Sequence, residues 1–261
     1  MKTWTGTTAG TTAETDPAER TDAPAVLLTL AVVQLGEPDP AEAPLTAAEL
    51  ARAGAFALPA VQRRFLAGRQ AARRLVAGLA GAEPEAVTAD YQCPKCRAAS
   101  TRSHGVPRYL VQGRAAPFHV SFSRSGQWML AGASATGPLG VDLADLAGFG
   151  DPRLDAVIAT DAEQAEYDVV APAARALRQA RLWTRKESVL KASGEGLRTA
   201  PHLVEVALEP GADSLVAVGA AGGRVSVIDL DTRMLGLPDG LVAAAAVPAA
   251  GGIRIEPRGW N

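Results

Sequence analysis

Lys186, Glu187 and Lys191 place two ammonium groups and a carboxylate in one short run, residues 183–197, that closes on Gly194 and Gly196. Glu187 and Lys191 are four residues apart, so on a helix they lie one turn from each other on one face. Trp183 and Leu190 share a second stripe, able to bury apolar surface while the charged stripe looks into a cleft. The two glycines supply the left-handed backbone on which helices end. Taken alone, a Glu–Lys pair at this spacing is a surface ion pair worth about 0.2–0.5 kcal/mol. Two further segments point beyond that. Gly140-Val-Asp142-Leu-Ala-Asp145 ends an apolar strand with a carboxylate, which is costly to bury unless paired or bound to a cation, the plain alternative being a turn-capping aspartate. Phe122-Ser123-Arg124-Ser125-Gly126 sets hydroxyls and a guanidinium on a tight turn, which suits a phosphate as well as an ordinary polar hairpin. Carboxylates, lysines and an arginine–hydroxyl turn converge on phosphate chemistry.

Those side chains need elements to bring them together. Residues 25–35 read as a buried strand, and 47–56 and 59–79 as two helices. The second helix turns Phe65, Leu66, Ala72, Leu75 and Val76 toward a core and interleaves Arg63, Arg64, Arg69, Arg73 and Arg74, with Gly81 and Pro84 ending it. Residues 91–117, broken by several prolines and glycines, read as a long loop. From 118 to 123 the chain alternates strictly, with Phe118, Val120 and Phe122 on one face and His119, Ser121 and Ser123 on the other. A turn at Gly126 and strands over 128–133 and 139–143 complete an expected three-strand meander. Past Gly148 and Gly150 the pattern restarts. Residues 151–168 read as helical, Pro172 opens a long helix through Ala192, and strands are expected over 204–208, 215–218, 224–230 and 241–247. The run from Gly240 to Val247 echoes the run from Gly126 to Ala133. Together these features predict an α+β fold of two similar lobes, 25–148 and 149–261, each with helices packed on an antiparallel sheet and with a site in the cleft between them.

The chain has 261 residues, 48% hydrophobic but only 5% aromatic, which implies a core of Val, Leu and Ala with few aromatic anchors. A net charge of −2 argues against a general nucleic-acid binder while allowing a local basic pocket. No apolar run reaches the roughly 18 residues of a membrane span. Residues 1–24, rich in Thr, Ala and acidic groups, lack the apolar core of a signal peptide; they read as a disordered tail, and the expected location is the cytoplasm. Cys93-Pro-Lys-Cys96, with His104 eight residues later, is a lone C-x-x-C short of a fourth zinc ligand. Zinc, redox chemistry and a loop with neither role all stay open for it.

The motifs together resemble the 4′-phosphopantetheinyl transferases of the surfactin-synthetase-activating (Sfp) type. The resemblance rests on Gly140-Val141-Asp142, followed by Trp183-Thr184, Lys186-Glu187, Lys191, Gly194, Gly196 and Leu197, matching a long W-[ST]-x-K-E-x-x-x-K-x-x-G-x-G-L pattern. Arg64-Phe65-Leu-Ala-Gly68-Arg69 resembles the family's basic N-terminal helix, His104-Gly-Val-Pro107 its H-G-x-P loop, and Ser121-Phe-Ser-Arg124-Ser-Gly126 its N-x-S-H-S-G turn. Roughly residues 25–248 are covered.

The resemblance implies a pseudo-dimer of two α+β lobes with coenzyme A between them. It implies transfer of the phosphopantetheine arm to a serine of an apo acyl or peptidyl carrier protein, with release of adenosine 3′,5′-bisphosphate. Mg2+, or Mn2+ in its stead, would be held by Asp142 and Glu187, since a hard cation prefers carboxylates, phosphates and water. Glu187 would also take the serine proton. Lys186 and Lys191 would clamp phosphate oxygens, and Lys191 would protonate the leaving phosphate. Arg64, Arg69, Ser123 and Arg124 would hold the 3′-phosphate and adenine end, with His104 and Arg108 adding to that pocket. Neither a nucleic-acid nor a membrane partner is implied, and a single chain that builds its own cleft implies a monomer. Three departures stand out. Ala144 occupies the position of a second acidic ligand, Val106 that of a basic residue before the loop proline, and Arg124 that of the usual histidine. Arginine keeps its charge and binds phosphate bidentately, so the last change preserves the role. Ala144 leaves room for an alternative, a non-catalytic module that binds coenzyme A or a carrier protein.

Overall fold

The computed structural model describes residues 25–39, 45–93, 104–167, 171–194, 199–208, 215–218, 224–248 and 253–258. The tail expected over 1–24, the second cysteine of the C-x-x-C (Cys96), and Gly196 and Leu197 lie outside them.

The first strand, β1 (Val26–Gln34), is apolar on both faces, as befits a strand in a middle layer. Two helices follow. α1 (Ala47–Gly54) starts at a capping box in which the Thr46 side chain accepts from the Glu49 amide and the Glu49 carboxylate answers the Thr46 amide. α2 (Pro59–Ala80) has proline in its first turn and stops at Gly81 in the left-handed conformation. The stretch expected to be a long loop holds β3 (Tyr109–Val111) and β4 (Arg114–Ala115), which form a small sheet with β2 (Val87–Ala89) just before it, in the order β2-β3-β4. Strands of two or three residues leave no periodic signal, so nothing in the sequence marks them. The hairpin β5 (His119–Ser125) and β6 (Trp128–Ser134) comes next, then β7 (Gly140–Asp145). Residues expected to be one helical stretch resolve into a 3-10 turn and two short helices, α3 (Asp155–Ile158) and α4 (Asp161–Tyr167). α5 (Pro172–Ala192) carries the charged run. The remaining strands are β8 (Glu205–Leu208), β9 (Leu215–Val218), β10 (Arg224–Leu230), β11 (Leu241–Val247) and β12 (Ile253–Pro257).

The fold is α+β. The two larger sheets have strand orders β12-β1-β6-β5 and β7-β11-β10-β9-β8. All pairings in them are antiparallel except β1 with β12. The expected meander is not what forms. β7 leaves β6 and pairs with β11, Asp142 opposite Ala244. β7 therefore belongs to the second sheet, although the sequence placed it in the first lobe, and β12 returns from the chain's end to the first sheet. Both candidate partners of β7 are apolar strands, and periodicity carries no information about which one pairs. With β7 in the second sheet, the echoing runs of β6 and β11 each lie between two strands of their sheet, in the orders β1-β6-β5 and β7-β11-β10.

The molecule stacks in layers. Leu28, Leu30, Leu130, Val141, Leu143 and Ala245 fill the space between the sheets, which pack face to face. The alternate residues face helices. Ala67, Ala71 and Leu75 of α2 meet Val33, Ala31, Met129 and Ala131 on the first sheet, while Leu182, Val189 and Leu190 of α5 meet Val225, Val227 and Ala246 on the second. On β7 this alternation sends Val141 and Leu143 between the sheets and turns Gly140, Asp142 and Ala144 toward α5. α5 comes so near that a Cβ at position 140 would lie 1.8 Å from the Ser188 carbonyl oxygen and 2.7 Å from the Ala192 nitrogen.

A methyl group there must push a helix off a strand, so Gly140→Ala should destabilise the protein by about 1–3 kcal/mol or more. Gly137→Ala, with nothing within 4 Å of the new carbon, should be near neutral by comparison. Urea denaturation midpoints of the two variants measure the difference.

Candidate active site

Asp142 is buried on β7 at the seam where β5 and β7 run side by side. Its Oδ1 accepts from Lys191 Nζ at 2.6 Å and from Ser123 Oγ at 2.7 Å. The Lys191 ammonium also donates to the Val141 carbonyl at 3.0 Å. The alternation read over 118–123 explains the serines. Ser121 and Ser123 face the second sheet, and Ser121 Oγ accepts from the Val141 amide, tying the two sheet edges together. Ser123 was expected among the nucleotide-binding residues; the structure brings it to Asp142 instead. Alternation puts Ser121 on the same face as Ser123, but its bond to the Val141 amide forms only because β7 crosses to the other sheet.

Glu187 lies one helical turn from Lys191 on the face of α5 that covers β7. Burial raises its carboxyl pKa above the ordinary value, the Asp142 charge adds to that, and Lys191 opposes it. The two carboxylates are thus near enough to repel. Asp142 Oδ2 and Glu187 Oε1 are both buried without a hydrogen-bond partner. A buried carboxylate oxygen with no donor is costly. Two of them on neighbouring acids, flanked by one lysine, fit a hard divalent cation, which takes oxygen ligands and commonly one or two carboxylates. Lys191 and Ser123 both engage Oδ1, so Oδ2 is left to such an ion. Among the described residues no group of three or more His, Cys, Asp or Glu gathers, in line with alanine at position 144. Asp145 does not replace the missing acid, for it caps a 3-10 turn through the Ala147 amide.

Lys186 is not brought to this cluster. It points to the other side of α5, fully buried, and donates to Glu163 Oε2 and, at 2.7 Å, to the Ile158 carbonyl. Glu163 in turn accepts from the Thr160 amide at 2.8 Å and the Val206 amide at 3.0 Å. The ammonium expected to clamp phosphate is instead the bolt between α4, α5 and β8. Glu163 carried no sequence signal, because an acid in a short amphipathic segment reads as solvent-facing.

The basic cluster lies across the seam on α2. Arg69 is buried, its guanidinium carbon 3.9 Å from the Tyr91 ring centroid and 4.9 Å from that of Phe65. Arg124 reaches from β5 to the same Phe65 ring at 5.7 Å. It lies over Gly68, where any Cβ would meet its Nη1 at 2.7 Å. Arg64, exposed, is one turn from Gly68 on that stripe. His104 and Arg108 flank a bridge between Gln92 and Val106, and the Arg108 carbonyl accepts from the Asp90 amide, so their segment runs beside the residue that stacks on Arg69. Cavities of about 240 Å3 and 420 Å3 lie elsewhere, lined around Asp229 and around His202, and neither reaches Asp142 or Glu187. Orphaned oxygens, not cavity size, mark the site.

Residues 138–231, from β7 through β10, match the 4′-phosphopantetheinyl transferase superfamily. The chain belongs to that superfamily and is an enzyme that transfers phosphopantetheine to carrier proteins. Among individual proteins it is similar to the 4′-phosphopantetheinyl transferase HetI of Nostoc sp. (strain PCC 7120), with 30% identity over 224 residues that cover 84% of each chain.

Two outcomes separate the lysines and the glutamate. Lys186→Met strands the Glu163 carboxylate in the interior and should cost about 3–5 kcal/mol in denaturation experiments, with Lys186→Met/Glu163→Gln recovering part of it. In the presence of a chelator, the folded chain releases the Glu187 proton at a higher pH than the unfolded chain, which does so near 4.5. The folded state binds the extra proton in that window, so stability falls as pH rises through it. Glu187→Gln should remove that slope and melt higher than the parent at neutral pH.

Proposed function

We propose that this enzyme is of the surfactin-synthetase-activating type and moves the phosphopantetheine arm of coenzyme A to a serine of an apo acyl or peptidyl carrier protein in the cytoplasm. The observation that carries the reading is the pair of orphaned carboxylate oxygens, Asp142 Oδ2 and Glu187 Oε1, beside the Lys191 ammonium. Mg2+ held by these two oxygens would neutralise charge developing on the pyrophosphate. Glu187 takes the serine proton, directly or through a water, and its raised pKa suits it to that task. The serine oxygen bonds to the phosphorus that carries the pantetheine arm. The bond from that phosphorus to the bridging oxygen breaks, and adenosine 3′,5′-bisphosphate leaves with a proton from Lys191. Ser123 holds Asp142 in place. Arg69 and Arg124 take the 3′-phosphate, with Arg64, His104 and Arg108 along the nucleotide. One chain supplies both sides of the site, which favours a monomer, and no described helix is long and apolar enough to cross a membrane. The non-catalytic reading rested on Ala144; two unpaired acidic oxygens support a cation site without a third acid.

Intact-mass measurement after incubation with coenzyme A, Mg2+ and apo carriers should show a gain of one phosphopantetheine. No gain on any of several acyl and peptidyl carriers would sink the assignment. Lys191→Met should slow turnover by about 10²–10³-fold. Mg2+ should raise the melting temperature of the parent; Glu187→Gln should lose that rise and about 10²–10⁴-fold in turnover.

A further inference from the structure

α2 carries Arg63, Arg64, Arg69, Arg73 and Arg74 and not one acidic residue. Arg69 and Arg73 are four apart, stacked on one face as like charges, which is unfavourable on a helix by itself. Their counter-charge comes from outside. α1 has eight residues, of which Glu49 and Ala53 are buried, and Glu49 is 0% exposed. Glu49 Oε2 accepts from Arg73 Nη2 at 2.5 Å while also completing the capping box to Thr46. Glu49 Oε1 faces Arg69 Nε at 3.8 Å and accepts no hydrogen bond. Burial pushes the Glu49 carboxyl pKa up, but hydrogen bonds from Arg73 and Thr46 together with the Arg73 charge outweigh it, so the group is held below its ordinary value. A buried ion pair is weak evidence for stability, since replacing both partners by apolar residues is often neutral or better. Glu49 Oε1 stands on the Nε side of Arg69, whose guanidinium lies against the rings of Phe65 and Tyr91. Arg69 is there close enough to Arg124 that its charge, after desolvation, lowers the Arg124 pKa. Arg69 and Arg124 thus bring two guanidinium groups close together, an arrangement that suits an anion.

We infer that Glu49 is a positioning residue: from a helix that carries none of the residues assigned to the site, it orients Arg69 for the 3′-phosphate of coenzyme A and thereby sets the preference for coenzyme A over its 3′-dephosphorylated form. This rests on the reading of Arg69 and Arg124 as the 3′-phosphate site. Glu49→Gln keeps the shape and the capping acceptor but removes the charge. Steady-state kinetics with coenzyme A and with 3′-dephospho-coenzyme A, on one apo carrier, test it. The expected result is a KM for coenzyme A raised about tenfold with kcat changed less than twofold, and a kcat/KM preference for the 3′-phosphate that shrinks about tenfold. Ala53→Gly loosens α1 at its other buried residue without removing a bond to Glu49 or the arginines; it should lower the melting temperature and leave that preference intact. If Glu49→Gln slows both substrates equally and keeps the preference, Glu49 is only structural and the inference is overturned. Should Glu49→Gln fail to fold, Glu49→Asp, which keeps the charge and withdraws it by one methylene, must show a reduced preference, and an undiminished one overturns it equally. A parent enzyme that does not distinguish the two substrates, or an Arg69→Lys variant with full preference, would remove the phosphate site itself and the inference with it. Loss of preference in Arg69→Lys but not in Glu49→Gln would remove Glu49 alone.

Discussion

The Asp142 carboxylate is buried under a helix, and the arrangement around it provides what that burial demands. An acid in such a place costs several kcal/mol unless it finds partners. It finds Lys191 from α5 and Ser123 from β5, both on one oxygen. The lysine reaches only because α5 presses onto β7 at Gly140, where no side chain fits. The serine reaches only because β7 crosses to the second sheet and lies along the edge of the first. Packing of the two sheets face to face holds that seam in register. The second oxygen stays unanswered, as does one on Glu187, and that residual electrostatic debt is what a cation-dependent transferase would use.

The same pattern recurs at two other places. Lys186 with Glu163, and Arg73 with Glu49, are buried pairs between elements 23 and 24 residues apart in the chain. Pairs of this kind contribute little net stability. They do fix which way a charged side chain points, and a transfer site depends on groups oriented before the substrate arrives. α5 shows both uses in adjacent residues: Lys186 is locked inward, and Glu187 is left with an unsatisfied oxygen toward β7.

Much of this was legible in the residues. The span of α5 was read closely from Pro172 and its apolar stripe, and Trp183 and Leu190 pack on the core as their spacing requires. Asp142, Glu187 and Lys191 were recognisable as a chemical set, and the structure draws them together. Less legible were Ser123, assigned to the nucleotide but bonded to Asp142, and Lys186, assigned to phosphate but bonded to Glu163. Helix spacing assigns a face, not the neighbour that face meets. Glu49 and Glu163 escaped notice because acids on short helices normally face water.

The sequence by itself determined the local periods, the bounds of the two long helices α2 and α5, the α+β class and the motif that marks the transferase superfamily, because each depends on residues close together in the chain. Only the tertiary structure decided that β7 joins β11, that β12 closes the first sheet, and that the buried carboxylates divide into those already neutralised and those left open. Strand pairing and charge compensation are made between residues far apart in sequence, and alternation along a strand is the same whichever partner it has.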